Sequence, residues 1–186
     1  LMIENVYLAY DRDKINKLLL ELEKARYYRA FAYISVYYMN IEQFDKAFEC
    51  AKKKADLCGH PTTYRRLYNI NLKNNFKYMN KKETLTCLLK ASAYDPKGDI
   101  NYDLAIHYIN GDLCAKNYEK ALKCLLKSAE ADYQSAIIYL LSIYQKDSNE
   151  FKTKKDLDLA YSYYQRIFDE NKVDKFYHFL INLYLD

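Results

Sequence analysis

Residues 117–136 read NYEKALKCLLKSAEADYQSA, and this helical stretch carries the clearest sign of how the chain is built. Counting back 37 residues from Cys124 gives Cys87, and 37 more gives Cys50; counting forward 39 gives Tyr163. The same register links Ala47, Thr84, Ala121 and Ala160. One helical unit is being repeated, and a period in this range marks a stack of helix pairs. A pair of this size cannot bury its apolar stripe alone, so neighbours must stack. A small residue at the register position lets two helices approach closely. The thiol positions one turn on (Cys50, Cys87, Cys124) are expected to pack inside. Tyr163, replacing the thiol in the last copy, should loosen or shift the packing there.

The 186 residues suffice for one ordinary domain or a short repeat array. Hydrophobic residues make up 51% and charged residues 29%, which is globular rather than disordered. Only three Gly and two Pro occur, which disfavours a turn-rich β fold and favours helices. Tyrosine stands out at 22 residues with no Trp. Either coding bias or a Tyr-lined binding surface accounts for that. The net charge of +4 is too balanced to argue for nucleic acid. The basic runs at 52–54 and 152–155 read as solvated surface. No segment is apolar for long enough to span a bilayer.

The pattern predicts eleven helices in pairs: 2–10, a helix to about 24, 26–39, 43–57, 62–74, 83–94, 99–110, 117–132, 134–145, 156–169 and 173–185. Gly59, His60 and Pro61 read as a stop. Asp99 and Asn117 read as caps, and Gly111 as a helix end. The face of 62–74 is the least clear, with Tyr68, Asn69 and Leu72 replacing a stronger apolar set. Tyr38, Tyr108, Tyr144 and Tyr184 close first helices and read as core. The expected fold is all-α: a right-handed α-solenoid of about five antiparallel pairs forming one repeat domain over 1–186. The units fall near 1–25, 26–61, 62–98, 99–132 and 133–171, with a final helix at 173–185. The chain begins as if inside a helix and ends without a cap, so a fragment of a longer protein is expected.

Residues 28–61 resemble a tetratricopeptide repeat. Phe31, Ile34, Ser35, Tyr38, Phe44 and Ala47 stand at that family's pattern positions, and Lys54 departs from them. Residues 104–136 resemble a Sel1-like repeat, a related unit with a longer loop. Leu104, Ala105, Tyr108, Gly111, residues 118–121, Ser128, Ala129 and Ala136 carry that likeness. Asp132 stands where Gly is common. Cys50 and Cys58 have the spacing of disulfide-bearing Sel1-like relatives, but in the wrong register, so no bridge is expected.

The resemblance implies a non-catalytic scaffold whose first-of-pair helices bind a peptide or protein segment on a concave face. The positions carried over are Arg29, Val36, Arg66, Lys73, Tyr102, Ile106, Ile138, Gln145, Lys175, His178 and Asn182. Alternatives are a regulatory domain attached to a missing catalytic or membrane part and, more weakly, an RNA-binding helical repeat. No phosphate loop, HExxH, GxSxG or paired-acid motif occurs. His107 reads as a surface or partly satisfied residue and Cys114 as an ordinary thiol. No cofactor or metal is expected. The odd cysteine count and the lack of a signal peptide in this segment favour the cytoplasm over the periplasm or secretion.

Overall fold

A computed structural model describes residues 28–167, together with Lys17, Glu21, Leu22 and Lys24. The helices expected at 2–10 and 173–185, and most of the one ending near 24, lie outside the described residues. Eight helices occur among those described: α1 (Tyr28–Asn40), α2 (Phe44–Cys58), α3 (Pro61–Lys73), α4 (Lys81–Ala91), α5 (Asp99–Asn110), α6 (Tyr118–Glu130), α7 (Gln134–Tyr144) and α8 (Leu157–Ile167). The one extended feature is an isolated antiparallel bridge between Ser148 and Thr153. The all-α expectation holds. The chain divides into two compact units, before and after the junction of Asn80 and Lys81. Helices α1–α3 fall in the first and α4–α8 in the second. The pair read at 62–98 is therefore shared between them.

In the first unit, α2 presents Ala47, Ala51 and Ala55 at four-residue spacing, all buried. That stripe of methyl groups lets α1 lie close. Ser35 on α1 donates its hydroxyl to the Ala47 carbonyl at 2.9 Å, inside the core. Gly59 ends α2 in the left-handed region (φ 60°), returning its N–H to Ala55. The residues read as a stop also start the next helix. His60 is the N-cap, its Nδ1 accepting from the Thr62 amide, and Pro61 occupies the first turn, where no N–H is needed. The ambiguous face of α3 resolves into Thr63, Leu67, Tyr68, Ile70 and Asn71, all buried. Leu72, expected on that face, points outward. Asn71 belongs inside because its Oδ1 accepts from the amides of Tyr78 and Met79, at 2.9 and 3.0 Å. That carboxamide organises the turn after α3, where Asn75 and Phe76 both adopt positive φ. Tyr78 stacks on Phe48 with centroids 4.7 Å apart, pinning the same turn to α2.

In the second unit the cap before α5 differs from expectation. Gly98, at φ 73°, is the N-cap residue, and Asp99 opens the helix. The Asp95 carboxylate takes the capping bond, accepting from both the amide and the side chain of Asn101 at 2.8 Å. Asn117 does cap α6, its Oδ1 accepting from the Lys120 amide at 2.9 Å. Gly98 and α6 meet closely: Ser128 donates its hydroxyl to the Gly98 carbonyl at 2.6 Å.

One bond recurs where first helices turn into second ones. The Tyr38 carbonyl accepts from the Gln43 amide, that of Tyr108 from Asn117 and that of Tyr144 from Asp156, each at 2.9 Å. The chain advances five, nine and twelve residues between the partners, and the longer advances account for the change in period from 34 to 37 and 39. Four residues after each donor stands Ala47, Ala121 or Ala160, fully buried. The tyrosine closing each first helix is thus a backbone latch as well as a core ring; Tyr38 and Tyr108 are buried and Tyr144 is half-buried. Tyr184 lies outside the described residues. The thiol expectation needs correction by one residue. Ala51, Leu88 and Leu125 are the fully buried positions, while Cys50 and Cys124 sit half-buried beside them and only Cys87 is buried. Tyr163 takes the place of the thiol in the last copy. It is buried, with its ring stacked on Tyr144 at 6.1 Å.

Candidate partner-binding surface

The carried-over positions are best followed unit by unit. In the first, Arg29 and Val36 are exposed on α1, and Lys73 is exposed at the end of α3. Arg66 is different. It is half-buried, and its guanidinium donates to the carbonyl of Ala32 on α1. Burial lowers its pKa. It braces α3 against α1, so it is a structural strut before it is a clamp for a ligand. Two exposed apolar residues lie beside these positions and were missed: Tyr33, 78% exposed and one turn before Val36, and Leu72, next to Lys73. Spacing alone would have found Tyr33, since residues three apart share a helix face. The helices α1 and α3 carry Arg29, Arg65, Arg66 and Lys73 and no carboxylate.

In the second unit, Tyr102 and Ile106 are half-buried one turn apart on α5. Tyr102 leans on Tyr133 with centroids 5.3 Å apart. Ile138 is 53% exposed on α7, and Gln145 caps that helix half-buried. Sequence reasoning missed the aromatic group around Phe151. This ring is buried, with Tyr118 edge-on at 5.1 Å and Tyr139 at 6.3 Å. The signal was present: Phe151 is the only large apolar residue in the polar run DSNEFKTKK. Helix α5 carries Asp99 and Asp103 but no Lys or Arg, and α7 carries no charge. Lys175, His178 and Asn182 lie outside the described residues.

His107 is not a surface residue. It is buried, with Nδ1 2.7 Å from the Asp112 carboxylate, and it fastens the loop after α5. Cys114 in that loop has no activation: burial, then Asp112, pushes its thiol up, against a smaller opposing pull from Lys120. Burial also pushes up Cys87 and Cys124. None of the five cysteines is in a disulfide. Among the described residues no cluster of His, Cys, Asp or Glu could hold a metal, and no helix is long and apolar enough to cross a membrane. What the first helices offer chemically is contact area, hydrogen bonding and charge.

The fold is that of a helical-repeat protein, similar to Sel1-like and tetratricopeptide repeats. Among solved structures, the chain is similar to a Sel1 repeat protein from Oxalobacter formigenes, with a TM-score of 0.61 and 20% identity, over 75% of this chain and 56% of that one. It spans little more than half the length of that relative. It is also similar to MamA, a TPR-like protein, with a TM-score of 0.54 and 19% identity, over 81% of each chain. No family model and no curated protein matches the sequence. At these identities the likeness establishes the fold, and with it the resemblance read from the repeats.

Proposed function

We propose that this chain is a non-catalytic scaffold that binds a peptide or protein segment along the first helices of its pairs. The observation that carries the reading is the set of large apolar side chains held in water on those helices: Tyr33 and Val36 on α1, Leu72 on α3 and Ile138 on α7. Second helices expose fewer, Leu57 and Leu89. Apolar groups kept in solvent beside hydrogen-bonding neighbours are what a partner covers. The likeness to a Sel1 repeat protein and to MamA supports the same reading.

Selecting binders from a displayed peptide library tests it. Val36→Asp and Ile138→Asp are expected to abolish capture of the selected peptides, and Leu57→Asp to leave it intact. Equal capture by all three variants, or no enrichment at all, overturns the reading.

A further inference from the structure

Three phenols and a carboxylate gather in the second unit, outside any role in the helix core. Tyr118 on α6 donates its hydroxyl to Glu150 at 3.4 Å, and both Tyr118 and Tyr139 pack edge-on around Phe151 at 68° and 66°. Burial first, then Tyr102, Glu150 and Tyr118, push the Tyr139 phenol up. So Tyr102, Tyr118 and Glu150 all lie within electrostatic reach of Tyr139. Of the lysines nearby, Lys123 is bonded to Glu119 at 2.6 Å and Lys120 lies over the Tyr108 ring, 5.6 Å from its centroid. Phenol oxygens and a carboxylate are acceptors for an ammonium or guanidinium group, and tyrosine faces attract cations. Of the elements around the cluster, α5 brings two carboxylates and no Lys or Arg and α7 is uncharged, while α6 and the loop beside Phe151 carry both signs. Ile138, exposed and next to Tyr139, supplies an apolar contact beside the cluster.

We propose that Tyr102, Tyr118, Tyr139 and Glu150 form a subsite for a lysine or arginine side chain of a peptide segment whose apolar neighbour rests on Ile138. This rests on the scaffold reading and names the chemistry of its ligand in the second unit. Three half-buried phenols beside an exposed carboxylate hold a cation more firmly than that carboxylate would alone.

The test uses three labelled peptides that share spaced leucines and differ only in carrying lysine, glutamine or glutamate between them. Their binding to the whole chain is followed by fluorescence anisotropy. The lysine peptide is expected to bind about tenfold more tightly than the glutamine one, the equivalent of about 1.4 kcal/mol. Glu150→Gln and Tyr139→Phe should remove most of that preference, while Lys52→Ala, at an exposed position on α2, should not. Glu150 is exposed, so its variant should fold normally, which a thermal melt confirms. Binding of all three peptides alike, unchanged by Glu150→Gln, overturns the subsite and leaves the scaffold standing. So does failure of all three where library-selected peptides still bind. Binding of tetramethylammonium with no peptide preference also overturns it, since the occupant would then be a small cation.

Discussion

The guanidinium of Arg66 donates to the carbonyl of Ala32, a residue 34 positions earlier, and so reaches back by one repeat. Arg166 on α8 does the same in the other unit, donating to Ala129, 37 positions earlier, and to Asp132. An arginine fork suits this use, because it stays charged when half-buried and can add a donor to a helix carbonyl one repeat away. Arg66→Ala should lower stability by about 1–2 kcal/mol, read by urea denaturation, with Arg66→Lys intermediate. A ligand-only role would leave the denaturation midpoint unmoved.

Gly98 is the more tightly enclosed of the two glycines in the second unit. A methyl group there would lie 2.6 Å from the Ser128 carbonyl and 2.9 Å from the Tyr133 Cβ, in a backbone already at φ 73°. Gly98→Ala should cost roughly 2–4 kcal/mol. Gly59→Ala meets nothing within 4 Å, so only its positive φ counts, at about 1 kcal/mol. Paired thermal melts should place Gly98→Ala well below Gly59→Ala; the reverse order would refute the close approach.

Asn71 tests the turn after α3. Replacing it by Ala leaves the amides of Tyr78 and Met79 without their acceptor in the core. A loss of about 2–4 kcal/mol is expected, with faster hydrogen exchange at both amides. Exchange unchanged from the parent protein would show that the carboxamide is not what holds the turn.

Alkaline pH should weaken the fold. Burial raises the thiol pKa of Cys87 and Cys124 above the unfolded value of about 8.5. Between the unfolded and folded values the native state keeps protons that the unfolded chain has shed. Stability is therefore full below about pH 8.5 and falls as pH rises above it. Tyr163 and Tyr139, raised by burial first, extend the fall beyond about pH 10. Melts between neutral and strongly alkaline pH check this, and Cys87→Ala should flatten the first part of the decline.

Much of the fold was legible because small residues repeat where helices touch. Ala47, Ala121 and Ala160 marked the register, and all three are fully buried. The thiols misled by one position, since Cys50 and Cys124 flank the stripe that Ala51 and Leu125 fill. The face of α3 stayed obscure because Asn71 is a core residue only by virtue of amides that lie seven and eight residues ahead. The surface was less legible for a related reason. Groove positions carried over by resemblance say which helix face is meant, but not whether a side chain there is already occupied. Val36 and Ile138 are exposed, whereas Arg66 is committed to Ala32. The phenols come from three helices and Glu150 from a loop, so no spacing along one helix announces them.

The amide-to-carbonyl closure at Tyr38, Tyr108 and Tyr144 carries a last consequence. It sets where each following helix begins, whatever length of chain lies between, and lengthening such a loop costs little, about 0.6 kcal/mol per doubling. The stretch between Tyr144 and Asp156 is therefore a natural graft point. A reporter or a second domain placed near Lys146, which is exposed and precedes the Ser148–Thr153 bridge, would enlarge the protein without changing how its helices meet.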